Sequence, residues 1–223
     1  MAKSATRTTT AAVLFLVAVS AALFFGWTKN SDRISRPPEQ IEDYLFWEPK
    51  KLSAFKLTGS GDLILDRSQM KGKWSFIFFG YTHCPDVCPA TLASLGMTFK
   101  VLEKSDDVSS RIQGFFVSVD PARDDPTLLK NYVGHFHPDF TGVTGDAEQV
   151  TAFSRQMGAL YTIDREDGTD DYDVTHNSSI FVVDPRARLY ARFPPPHEPA
   201  KMADIFVAID AFWQEEEKRR GFF

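Results

Sequence analysis

The 223-residue chain carries 25 Lys and Arg against 30 Asp and Glu, and this mildly acidic balance, with no basic stripe, excludes a nucleic-acid-binding face. Its length allows one domain with a sizeable core but not two ordinary domains, and its 20 Phe suit a well-packed interior. Two cysteines cannot make a disulfide-rich scaffold.

Residues 11–27 are apolar except for Ser20 and Gly26, a run of roughly 17 residues at the lower limit for a bilayer-spanning helix. Lys3 and Arg7 precede it, which predicts a cytoplasmic N-terminus. Ala18-Val19-Ser20-Ala21 offers a signal-peptide cleavage site, but the run continues through Leu23-Phe24-Phe25, which favours a retained anchor. The short, acid-free leader reads as the flank of a span rather than as a full mitochondrial transit peptide. Residues 1–28 are therefore expected to be leader and transmembrane anchor, 29–50 a polar linker and 51–223 the folded domain. With either a cleaved or a retained leader, that domain is expected outside the cytoplasm, where an idle thiol pair oxidises unless it is kept reduced.

Phe55-Lys56-Leu57 and Leu63-Ile64-Leu65 flank Thr58-Gly59-Ser60-Gly61-Asp62 and predict a hairpin. Residues 75–79 form a charge-free buried strand. Leu92, Leu95, Phe99 and Leu102 repeat at helical spacing and predict a helix to about residue 104. Residues 114–119 are a second buried strand ended by Asp120-Pro121. A helix over 126–135 starts at a proline, with Leu128, Leu129, Tyr132 and Val133 on one side. A short strand at 140–143 and a helix over 147–157 capped by Asp146 follow. Residues 165–173 read as an acidic solvated loop. Strands at 179–183 and 189–193 bracket Asp184-Pro185-Arg186-Ala187, a second hairpin. Met202, Ile205, Phe206, Ile209 and Phe212 predict an amphipathic C-terminal helix, followed by a charged tail at 215–220. The alternation gives an α/β sandwich around one mixed sheet, whose functional groups gather at the carboxyl ends of its strands.

The stretch Phe79-Gly80-Tyr81-Thr82-His83-Cys84-Pro85-Asp86-Val87-Cys88-Pro89 sits at one such end and holds both cysteines. On a helix, positions i and i+4 share a face, with Cα atoms about 6 Å apart, near the upper limit for a disulfide. The pair can therefore cycle between dithiol and disulfide, hold a metal between two thiolates, or serve as a short staple. A staple closing so small a loop removes little chain entropy. A helix N-terminus is expected to lower thiol pKa values. His176, in the loop before the 179–183 strand, is the candidate third ligand. Two thiolates and an imidazole suit Cu(I), or Cu(II) with an added ligand, whereas a closed zinc site wants a fourth protein ligand. His83 reads as solvent-facing. His135 and His137 are read as structural at a helix end, and His197 as exposed in a proline-rich segment. Asp120-Pro121-Ala122-Arg123-Asp124 reads as a capped turn near the same sheet edge.

These motifs, with Ser118-Val119-Asp120-Pro121, Asp171-Tyr172 and Asp184-Pro185, resemble the Sco/SenC proteins of cytochrome c oxidase assembly over about residues 52–212. The resemblance implies a thioredoxin-like mixed sheet flanked by helices, on a single N-terminal transmembrane helix. It implies that Cys84, Cys88 and His176 bind one copper ion. It also implies work on the dinuclear copper site of oxidase subunit II, by copper delivery, by reduction of that subunit's cysteines, or both. A copper donor protein and subunit II are the expected partners, with the membrane reached through the N-terminal helix and no nucleic acid. The expected location is the bacterial inner membrane, single-pass, with the soluble domain in the periplasm. The role is primarily that of a metallochaperone. The alternative is a thiol–disulfide oxidoreductase with Cys84 and Cys88 as redox dithiol, acting without copper transfer. The chain departs from the family pattern at Asn177 and around Arg186, where relatives often carry a small residue or Gly.

Overall fold

The fold is built outward from the apolar run at 74–80. In a computed structural model, which describes residues 15–22, 24, 36–164, 173–176 and 178–221, this run is strand β4 (Trp74–Gly80), buried along its whole length. Short helix α1 (Glu39–Glu42) opens the folded part. The strands in chain order are β1 (Leu45–Lys51), β2 (Leu57–Gly59), β3 (Ile64–Leu65), β4, β5 (Ile112–Ser118), β6 (Phe140–Thr144), β7 (Tyr161–Asp164), β8 (Asp173–His176), β9 (Ile180–Val183) and β10 (Arg188–Phe193). The helices after α1 are α2 (Val87–Leu102), α3 (Asp106–Ser109), α4 (Pro126–Gly134), α5 (Ala147–Met157) and α6 (Pro199–Arg219).

One eight-stranded mixed sheet has the order β1-β10-β9-β4-β5-β6-β2-β3, and β7 pairs with β8 in a separate small sheet. The pairs β4/β5 and β5/β6 are parallel, joined by the crossover helices α2 and α4, as parallel neighbours require. Burial on both faces explains why β4 reads as a continuous apolar run. On one face Phe76 meets Phe99 of α2 and Phe206 of α6, with ring centroids 5.3 and 4.9 Å apart. On the other, Phe79 meets Phe153 of α5 at 5.6 Å. Each such ring contributes about 1.5–3 kcal/mol on burial.

The chain divides into two compact units, residues 39–208 and residues 1–38 with 209–223. In the second unit, residues 15–22 and 24 are helical. The remainder of the expected span at 11–27 lies outside the described residues, and among the described residues no helix is long and apolar enough to cross a membrane.

Local expectations meet the structure unevenly. Both hairpins form, β2 with β3 and β9 with β10. Asp125 caps α4 by accepting the N–H groups of Thr127 and Leu128, and Asp146 caps α5 by accepting that of Gln149. Three elements differ. Residues 45–50, expected within the linker, belong to β1, an edge strand on β10. On α4, Leu129 and Val133 are buried but Leu128 is exposed. The tail at 215–220 is largely helical, and its charges form i,i+4 pairs, Arg219 with Glu215 and Arg220 with Glu216.

Candidate metal or redox centre

Strand β4 ends at Gly80, where the next layer comes too close for a side chain. A Cβ there would stand 2.7 Å from Cys88 Sγ and 2.7 Å from Phe116 Cε2. The loop that follows carries Cys84, and α2 begins at Val87, so Cys88 lies in the first helical turn. Pro89 fits that turn because the first N–H groups of a helix need no intrahelical acceptor. The N-cap residue Asp86 makes no side-chain capping bond. Instead the Cys88 N–H donates to Cys84 Sγ at 3.4 Å, so a sulfur takes the place of the cap oxygen. Both cysteines are free, Cys84 half-buried and Cys88 buried.

The expectation that the helix N-terminus lowers both thiol pKa values fails at Cys88. Burial pushes its thiol well above the usual range, with a lesser contribution from the charge of Cys84, and a hydrogen bond from the Tyr81 backbone only partly opposes this. A bound cation is the natural compensation for a thiolate so deeply placed.

The loop is held from below by Asp124, which is fully buried. Its carboxylate accepts the Thr82 N–H at 2.9 Å, the Thr82 hydroxyl at 2.5 Å and the Ser118 hydroxyl at 2.5 Å. Arg123 donates to Asp120 and lies over the Tyr81 ring at 5.7 Å. The segment 120–124, read from sequence as a turn, is thus the platform of the cysteine loop. The signal available in the sequence was its place after a buried parallel strand. A cleft of about 450 Å³ opens beside it, lined by Lys56, Thr58, Pro121, Asp124 and Asp146 among others. His83 is exposed, as expected, with Nδ1 3.8 Å from Asp124 Oδ1.

The structure brings Cys84 and Cys88 together. It places the His176 backbone at the end of β8, opposite Tyr161 of β7, rather than in a loop. The expected ligation by its imidazole, like the departure at Asn177, lies outside the described residues.

Sequence reasoning missed a second cluster. Ligand atoms of Glu103, His137 and Asp139 lie within 4.8 Å of one another. His137 Nδ1 accepts the Asp139 N–H at 3.3 Å, and its Nε2 stands 3.0 Å from Glu103 Oε1. The first bond leaves the ring proton on Nε2, where it is donated to Glu103. No imidazole lone pair is then free for an ion, and the cluster ties the end of α2 to the start of β6. Two buried side-chain atoms lack a hydrogen-bond partner among the described residues, Tyr132 Oη and His197 Nδ1.

The family described as SCO1/SenC matches residues 48–209. The mitochondrial Sco2 homologue of Mus musculus is 38% identical over 119 residues, covering 53% of this chain and 46% of that protein. Mitochondrial Sco2 of Saccharomyces cerevisiae is 33% identical over 168 residues, covering 74% and 55%. The chain thus spans about half the length of the curated relatives it matches. Among solved structures, Arabidopsis thaliana ScoI with copper bound superposes with a TM-score of 0.65 at 27% identity, covering 72% of this chain and 98% of that one.

These relatives correct one expectation. The assignment to a bacterial inner membrane, single-pass with a periplasmic domain, is overturned by the mitochondrial relatives and has no membrane-crossing helix among the described residues to support it. The physical reason is that a basic, acid-free apolar leader is common to several targeting routes and does not identify one. With the family match covering most of its length, and with the sheet, the cysteine loop and its platform in the order the motifs require, the chain belongs to the SCO1/SenC family.

Proposed function

We propose that this protein is a copper-binding assembly factor for cytochrome c oxidase, with Cys84, Cys88 and His176 as the ligands. The observation that carries the reading is the sulfur pair itself: two free cysteines at the carboxyl end of the central parallel strands, Cys84 half-buried and Cys88 buried. The donor set fits the ion. Thiolates are soft ligands that select Cu(I), and the buried position excludes water from one side of the site. Copper is cargo in this scheme, passed to the dinuclear site of oxidase subunit II. In the loop, Asp124 fixes the backbone at Thr82, and the Cys88 N–H orients the Cys84 sulfur.

The purified, reduced full chain is expected to take up one equivalent of copper. Replacing Cys84 or Cys88 by Ser, or His176 by Ala, is expected to weaken uptake strongly. Unchanged affinity in both Cys→Ser variants would overturn the copper reading; unchanged affinity in His176→Ala alone removes only the third ligand.

The same adjacency of sulfurs supports a second reading, a dithiol that reduces the cysteines of its partner. The two separate in His176→Ala. A variant that loses copper yet still reduces a target disulfide assigns the redox role to Cys84 and Cys88 alone.

A further inference from the structure

We infer that His197 is a positioning residue for His176, holding through its bond to Ser178 the arm of chain on which His176 is carried. This rests on the reading of His176 as the third copper ligand.

The arm is tethered where it joins the main sheet. On both sides of β9 the pairing ends at Ile180, with Phe193 of β10 and with Phe78 of β4. His176, the last residue of β8, belongs to the separate small sheet. Ser178 therefore lies between two sheets, outside the paired residues of both. His197, just beyond the end of β10, reaches across this gap. Its Nε2 stands 2.8 Å from the Ser178 carbonyl oxygen. A carbonyl only accepts, so the ring proton is on Nε2. The imidazole thus adds one rung past the end of the β9/β10 ladder, two residues from His176.

Both sides of this brace are anchored. Before Ser178, His176 pairs with Tyr161 of β7, whose hydroxyl meets the Thr151 hydroxyl of α5 at 2.8 Å. Next to His197, Pro199 opens α6, and its carbonyl oxygen stands 3.4 Å from the Thr98 hydroxyl of α2, the helix that carries Cys88. The His176 backbone is held on one side by β7 and on the other by His197, and the second hold leads to the helix of the buried sulfur. Stability does not account for the imidazole. Its Nδ1 is buried without a partner among the described residues, a cost that an aliphatic side chain avoids. What the residue contributes is order beside a ligand. A ligand fixed near its bound position loses less freedom on binding, which raises affinity.

The test is a double-mutant cycle on the full reduced chain, with copper(I) affinity measured by competition with a chromophoric chelator. His197→Ala is expected to weaken affinity about ten-fold, the lower end of the loss when a metal ligand is deprived of its support. In the His176→Ala background the same change is expected to leave affinity unaltered, because the arm no longer carries a ligand. His197→Gln keeps an N–H donor of similar reach and restores most of the affinity. If His197→Ala does not fold, His197→Asn, whose amide is one carbon closer to the backbone than that of Gln, takes its place in the cycle. Equal losses in both backgrounds, or no loss in either, overturn the inference and leave copper binding intact. A Gln variant as weak as the Ala variant also overturns it, since the donor then does not matter. Parent-level affinity in His176→Ala removes the third ligand and this inference with it, and a parent that takes up no copper overturns the copper reading itself.

Discussion

Asp124 accepts the Thr82 backbone N–H at 2.9 Å, joining positions 42 residues apart. The bond ties the loop after β5 to the loop after β4, so the cysteine segment inherits the rigidity of two parallel strands. Asp124→Ala strips acceptors from the Thr82 N–H, the Thr82 hydroxyl and the Ser118 hydroxyl at once. A loss of about 2–4 kcal/mol is expected in urea unfolding. Asp124→Asn keeps one good acceptor and is expected to cost less. An Ala variant as stable as the parent would show that the platform does not hold the loop.

Gly80→Ala tests the close approach beneath Cys88. A methyl group there meets both the Cys88 sulfur and the Phe116 ring at 2.7 Å. Overpacking of this kind costs about 1–3 kcal/mol. The expected outcome is lower stability together with weaker copper uptake, since Cys88 must move to admit the methyl. Retained affinity at reduced stability would place the strain on Phe116 instead.

Asp184 provides a control at the opposite end of the sheet. Val183 pairs with Ser75, so Asp184 lies beyond the amino end of β4, away from Gly80. Its buried carboxylate accepts the N–H groups of Arg186 and Arg188 and pairs with the Arg188 guanidinium. Removing it as Asp184→Ala leaves the Arg188 charge without this partner, at about 3–5 kcal/mol. Copper affinity of the folded fraction is expected to stay unchanged.

His197 sets a pH dependence. Its Nε2–H donates to the Ser178 carbonyl at 2.8 Å, while Nδ1 is buried without a partner among the described residues. Burial therefore lowers its pKa below the usual 6.5. The folded state then binds fewer protons than the unfolded state in the interval between the two values. The associated stability is complete above about pH 6.5 and declines as the pH falls through the folded-state value. Urea midpoints at pH 7.5 and pH 5 are expected to differ more for the parent than for His197→Gln. Equal differences would assign the acid sensitivity to other groups.

Patterned local features were legible in the sequence. The charge-free run at 75–79, the helical spacing of Leu92, Leu95, Phe99 and Leu102, the proline that opens α4 and the cap at Asp146 declare themselves within a few residues. What resisted reading depends on distant partners. Strand β1 hides its period behind Pro49 and lies at a sheet edge, where half-exposed residues carry little pattern. Asp124 looks like any turn aspartate until β5 carries it under Thr82. At Cys88 the helix terminus was visible from the sequence, but the depth that outweighs it was not.

The unequal depth of the two sulfurs imposes an order of events. Anything arriving from solvent meets the half-buried Cys84 first, while Cys88 is fully buried. The outer sulfur is thus the doorway and the inner one the holdfast. On the proposed copper reading, a partner's thiol would engage at Cys84 before Cys88, so arrival and departure would retrace a single path.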